Sequence, residues 1–158
     1  RVAKSLGIRL EMAAAIDPID RPYFDEQIKP HIDGERVVYH GEVGHDALVE
    51  LYGGAVATLY PISWHEPFGL VMVESMACGT PVIAYNMGSV SEIVRDGLNG
   101  FVVDVSAGID GLCAAVKRIT EIDRVACRAD VKVRFHTDRM VLDYEKAYET
   151  IIHEHTHI

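Results

Sequence analysis

Two glutamates, Glu66 and Glu74, stand with seven residues between them in the stretch His65-Glu66-Pro67-Phe68-Gly69-Leu70-Val71-Met72-Val73-Glu74. Pro67 restricts Glu66 to an extended backbone, so this part of the chain cannot be regular helix. Gly69 permits a ligand to approach the backbone closely. From Leu70 onward the pattern reads as a short helix stopped at Gly79, and Glu74 falls about one turn into it. Both carboxylates are thereby placed beside the open N-terminus of a helix, where unpaired N–H groups favour an anion. Ionised carboxylates only accept hydrogen bonds, so they suit vicinal hydroxyls. A ligand with hydroxyls for the carboxylates and a phosphate for the helix end fits this pair, and a nucleotide sugar has both. Two solvated side chains would be the plainer reading, but that reading needs neither the proline nor the glycine.

The elements that must position this pair follow from hydrophobic patterning. Short apolar runs predict strands over residues 8–13, 36–40, 55–60, 81–85 and 100–103. Helical patterns lie between them, over 21–29, 45–52, 70–78 and 90–94. Asp33-Gly34, Gly53-Gly54, Gly79-Thr80-Pro81, Asp96-Gly97 and Asn99-Gly100 supply the turn signals. After Asp104 no strand pattern returns, and helices are predicted over 107–121, 123–134 and 138–155. This alternation predicts an α/β class: a Rossmann-like open parallel sheet with helices on both faces, followed by C-terminal helices. Ligands of such sheets bind outside the carboxyl ends of the strands. The loop over 61–68, the segment Asn86-Met87-Gly88-Ser89 and the segment His40-Gly41-Glu42-Val43 each follow a strand and should face one crevice.

The chain of 158 residues is long enough for one domain with a full core. Its 49% apolar and 25% charged content is that of an ordinary globular protein. No apolar run approaches the roughly 20 residues of a membrane span. The opening Arg1-Val2-Ala3-Lys4 reads as a helix already under way, so no signal peptide is expected and the chain is expected to be cut from something longer. A net charge of −9 argues against nucleic acid and anionic membrane as general partners. Cys78, Cys113 and Cys127 lack zinc or redox spacing and read as free thiols in a reducing cytoplasm.

The stretch HEPFGLVMVESMACGTPVIAYNMGSVSEIVRDGLNGFVVD resembles the C-terminal, donor-binding domain of retaining glycosyltransferases of the GT-B fold, family four. The pattern there is E-P-F-G-x-x-x-x-E, then A-x-G-x-P-V-I-A, then G-[GS]-x-x-E-I-[IV], then D-G-x-[NT]-G-x-x-[VF]. Every piece is present in order, with Ser91 before Glu92 where the family often has proline. The resemblance is densest over residues 64–104. It implies that Glu66 hydrogen-bonds hydroxyls of the transferred sugar and that the amides around Phe68, Gly69 and Leu70 meet the sugar and its phosphate. It implies that Glu74 accepts from the ribose hydroxyls and that the turn Gly41, Glu42, Val43 borders the base. No nucleophile is assigned, and Glu92 fits a structural or capping role as well as a ligand role.

The resemblance also implies an N-terminal acceptor domain outside residues 1–158, which would bring the acceptor glycan, lipid or small molecule and any peripheral membrane contact. The Arg and Lys that grip the donor diphosphate in the family belong to a loop expected before Arg1, as does the first, central strand of the sheet. The strands at 8–13 and 55–60 are then expected to flank a gap, and the chain alone is expected to be inactive. No cofactor and no divalent metal is expected, because no Asp-x-Asp spacing holds a metal against the diphosphate. A glycogen or starch synthase is the near alternative, as is a fragment that only binds nucleotide sugar. An epimerase would not be expected to show the glutamate pair, and a receiver-like signalling domain would need aspartates where Met12-Ala13-Ala14-Ala15 stands. Trp64 and His65 read as loop residues held for shape, although a histidine there could serve as acid or base. The tail His153, His155, His157 has metal-ligand types but reads as an exposed terminus.

Overall fold

A computed structural model describes residues 1–155, so His157 lies outside the described residues. The chain alternates helices and short strands. Helix α1 (Val2–Leu6) precedes β1 (Leu10–Met12), β2 (Val37–Tyr39), α3 (His45–Gly54), β3 (Thr58–Tyr60), α4 (Leu70–Ala77), β4 (Val82–Tyr85), α5 (Val90–Ile93) and β5 (Gly100–Val103). Then come α6 (Gly108–Lys117), α7 (Arg124–Arg134) and α8 (Thr137–His155). All strand pairs are parallel. They form two sheets, β1-β2 and β3-β4-β5. Neither β1 nor β3 has a strand on its second side among the described residues.

The predicted strands all form, trimmed at their ends, and β5 spans the predicted residues. The predicted helix over 21–29 is instead a mixed winding. A 3₁₀ turn (Pro18–Asp20), the short α2 (Arg21–Tyr23), a π turn (Phe24–Ile28) and a second 3₁₀ turn (Lys29–His31) follow one another. Asp17 caps its start by accepting from the Ile19 amide, and Pro30 withdraws the donor that would close a last α-turn.

The core lies on the second sheet. Val82, Ile83 and Ala84 of β4 are all fully buried. Successive strand residues point to opposite faces, so both faces of β4 are covered. Helix α4 packs on β3 and β4 and against α7, while α6 packs on β4 and β5 and against α1. Met72 and Met76 from α4, Val90 and Ile93 from α5, Leu112 from α6 and Val131 from α7 fill the space between. Cys113 and Cys127 are free and buried; Cys78 is half-buried and free. Helix α8 buries no residue. Among the described residues no helix is long and apolar enough to cross a membrane.

Candidate functional site

Glu66 sits in the loop between β3 and α4, and Glu74 is on α4 itself. Gly69 is the N-cap of α4 at φ 82°, a left-handed conformation that glycine adopts without a Cβ penalty. No side chain caps this helix, and Met72 is the first helical amide to find a carbonyl, that of Gly69 at 3.0 Å. The end of α4 therefore offers backbone donors to an anion, as the sequence predicts. A Cβ on Gly69 would come within 2.6 Å of Met72 Cε and 3.4 Å of both Glu66 Cγ and Tyr60 Oη. Glu66, Tyr60 and the helix start are thus packed around one glycine.

The Glu66 carboxylate is held by its neighbour but one: Trp64 Nε1 donates to Oε2 at 2.9 Å. Its backbone is held from β4's following loop, where the Ser89 amide donates to the Glu66 carbonyl at 3.0 Å. Ser89 Oγ donates to the Phe68 carbonyl at 2.7 Å. Phe68 is exposed on one side and meets the edge of Phe135, centroids 5.9 Å apart, at the end of α7. Burial and the nearby Glu66 charge raise the Tyr60 phenol above its ordinary value.

Glu74 stands near a different element. It lies beside Tyr52 of α3: burial first, then the nearby Glu74 charge, push the Tyr52 phenol up to about 12. One residue on, Ser75 is fully buried, with its hydroxyl 2.7 Å from Thr58 Oγ1 and donating to the Thr80 carbonyl at 2.8 Å. These bonds fix α4 to β3 and so fix the position from which Glu74 projects.

The turn Gly41, Glu42, Val43 belongs to the other sheet, at the carboxyl end of β2. Its bonds run to the loop after β1: the Ala14 amide donates to the Gly41 carbonyl at 2.9 Å, and Tyr39 Oη donates to the Ala14 carbonyl at 2.6 Å. His40 Nε2 and the Glu11 carboxylate are hydrogen-bonded beside it. Glu92 is exposed, and its carbonyl accepts from Arg134. His65 is exposed. Two surface concavities of about 450 and 420 Å³ lie along the α4–α7 groove; neither is lined by Glu66 or Glu74. Among the described residues no three His, Cys, Asp or Glu side chains converge as metal ligands.

Tyr52, Tyr60, Ser89 and Phe135 were not legible as site residues. Ser89 alone carried a signal, since it lies in a loop that follows a strand on the crevice side.

The chain is thus a Rossmann-like α/β unit with two carboxylates near an uncapped helix start. The comparisons narrow it. A family model described as glycosyl transferases group 1 matches residues 20–131, and the chain belongs to that family. A D-inositol 3-phosphate glycosyltransferase from Acidothermus cellulolyticus is 46% identical over 70 residues, covering 44% of this chain and 15% of that protein. A sucrose-phosphate synthase from Thermosynechococcus elongatus superposes with a TM-score of 0.76 at 27% identity, over 97% of this chain and 41% of that one. HepE from Anabaena, crystallised with UDP-glucose, superposes at 0.68 with 23% identity, over 95% of this chain and 43% of HepE. The chain spans well under half the length of the relatives it matches.

Proposed function

We propose that this chain is the donor-binding, C-terminal domain of a two-domain, retaining glycosyltransferase. The whole enzyme would move a hexose-type sugar from a nucleotide diphosphate donor to an acceptor hydroxyl, without a divalent metal and in the cytoplasm. The acceptor, whether glycan, lipid or small molecule, would be bound mainly by another domain. The observation that carries this reading is the pair of carboxylates on either side of the uncapped start of α4. HepE, a protein of the same fold, has been crystallised with a ligand of the class this chemistry suits.

In this reading Glu66 accepts from hydroxyls of the sugar and orients its anomeric carbon. The amides from Phe68 to Leu70 lie against the sugar and its phosphate. As the diphosphate leaves, charge grows on oxygens that face the start of α4, an interaction worth about 0.3–2 kcal/mol. Glu74 accepts from the ribose hydroxyls, with the Tyr52 phenol of α3 beside it. Gly41, Glu42 and Val43 border the base.

The test uses the whole native protein. A thermal-shift panel of uridine, guanosine and adenosine diphosphate sugars identifies the donor. Turnover and calorimetric titration with the matching nucleoside diphosphate then compare Glu66→Ala with Glu74→Ala. Glu66→Ala should lower kcat far more than nucleotide affinity, because orientation is a transition-state matter. Glu74→Ala should weaken the free nucleotide as well. Equal nucleotide affinity in the two variants rejects the division of roles, and activity lost to chelation and restored by manganese rejects the metal-free mechanism.

A further inference from the structure

We infer that Trp64 and Ser89 are positioning residues for Glu66: Trp64 fixes the carboxylate, and Ser89 fixes the backbone beneath it. The inference rests on the donor reading of Glu66 given above.

Trp64 is 58% exposed, so core packing does not explain its orientation. Its single polar atom, Nε1, is spent on Glu66 Oε2 at 2.9 Å. An indole N–H is donor only, so this bond occupies one carboxylate oxygen and leaves Oε1 for a substrate hydroxyl. A glutamate side chain free in a loop samples several rotamers, and each must be frozen when substrate binds. The Trp64 bond restricts that sampling before binding, and this is preorganisation in the sense that speeds an oriented reaction.

Ser89 acts on the main chain. It is 6% exposed and donates twice into the loop, from its amide to the Glu66 carbonyl at 3.0 Å and from Oγ to the Phe68 carbonyl at 2.7 Å. The two bonds straddle Pro67, which has no amide of its own to contribute. Gly88 makes this approach possible, because a Cβ there would lie 2.4 Å from the Glu66 carbonyl oxygen and 2.6 Å from its nitrogen. Ser89 is itself the N-cap of α5. The far end of α5 is gripped by Arg134, which donates to the Ile93 carbonyl at 2.9 Å and to the Glu92 carbonyl. Arg134 is paired with the half-buried Asp130 at 3.0 Å, and Asp130 also takes Arg95 at 2.6 Å and Asn99 at 2.8 Å. The Glu66 loop is thereby bolted, through α5, onto α7.

The test measures turnover, nucleoside diphosphate affinity and melting temperature of the whole native protein. The variants are Trp64→Phe, which keeps a ring and removes the N–H, Ser89→Ala, Glu66→Ala and the double variant Trp64→Phe/Glu66→Ala. Trp64→Phe should lower kcat about tenfold, with nucleotide affinity and melting temperature unchanged. Ser89→Ala, which breaks the Oγ bond to the Phe68 carbonyl and keeps the amide bond to Glu66, should lower kcat about tenfold and the melting temperature by a few degrees, with nucleotide affinity unchanged. In the Glu66→Ala background Trp64→Phe should cost less than about twofold, because its partner is gone. An equal Trp64→Phe loss in both backgrounds would overturn the inference, as would a Trp64→Phe loss that tracks the melting temperature or wild-type kcat in Ser89→Ala. Wild-type turnover in Trp64→Phe with Glu66→Ala impaired overturns the inference alone. Wild-type turnover in Glu66→Ala overturns the donor reading and the inference with it.

Discussion

The two sheets are both parallel, yet they are held by different forces. Between residues 4 and 61 no residue is fully buried. There, surface polar contacts stand in place of a core: Asp33 Oδ1 folds the turn before β2 by accepting the amides of Glu35, Arg36 and Val37, and Tyr39 reaches across to the Ala14 carbonyl after β1. A net hydrogen bond is worth about 0.5–1.5 kcal/mol. From Ile62 onward, by contrast, apolar side chains fill a continuous core around β4. The site draws on both regions. Glu66 and Glu74 stand on the packed sheet, and the Gly41 turn stands on the lightly held one. The proposed chemistry, which needs fixed geometry, lies where packing fixes it. The element proposed to border the base sits where local opening costs least.

The largest expected effect separates the regions directly. Met76 of α4 is fully buried among the core side chains, so Met76→Ala should cost about 2–5 kcal/mol by cavity formation. Leu10 of β1 is only half-buried, and Leu10→Ala should cost less than about 1.5 kcal/mol, since it forfeits only part of the transfer term. Denaturant unfolding of the whole native protein measures both. Equal losses would mean that β1 and β2 are packed against something as extensive as the core of the second sheet.

Glycines sharpen the contrast. Gly100 of β5 faces β4 so closely that a Cβ would lie 2.1 Å from the Val82 carbonyl oxygen and 2.9 Å from Val94 Cγ1. Gly100→Ala must push two strands apart, and a loss of about 1–3 kcal/mol is expected, the range of an overpacked core. Gly34, in the turn before β2, has φ +77° and open space where a Cβ would go. Gly34→Ala meets only the left-handed strain of about 1–2 kcal/mol. The sharper readout is spatial. Hydrogen exchange should rise across β4 and β5 in Gly100→Ala and only near β2 in Gly34→Ala. Matching exchange maps would merge the two regions into one cooperative unit.

The same division explains what could be read from the sequence. Four strands were legible because β-branched and aromatic residues recur in them beside turn signals, β1 (Leu10-Glu11-Met12) was legible only as a short apolar run, and α4 was legible because Pro67 and Gly69 mark the loop before it. The winding over 18–31 was not, because its prolines change the hydrogen-bond ladder in ways that periodicity does not register. Tyr52 was invisible as a neighbour of Glu74: it lies on α3, far back in the chain, and only the packing of α3 on α4 brings them near. Ser89 and Asp130 act through carbonyls and arginines that the fold, not the spacing, makes adjacent.

The remaining effects come from titration, and they should act on opposite regions. Cys127 is fully buried, and burial pushes its thiol from the ordinary 9.0 up to about 11. The folded form therefore keeps a proton that the unfolded chain releases, so the packed region should lose stability as pH rises from 9 to 11. Cys127→Ala should flatten that slope. On the acid side, the three backbone amides gathered by Asp33 hold its carboxyl below the ordinary 3.8. Its contribution is complete above pH 3.8 and fades as pH falls from there through the lowered folded value. Because Asp33 is exposed, the effect is local and weak. Amide exchange, corrected for its intrinsic pH dependence, should rise first at Val37–Tyr39 on acidification, while β4 stays protected. Asp33→Asn, which keeps an acceptor that does not titrate in this range, should abolish the acid dependence at β2. If β4 and β2 lose protection together on acidification, the lightly held region does not open independently, and the comparison between the two sheets fails at its weakest joint.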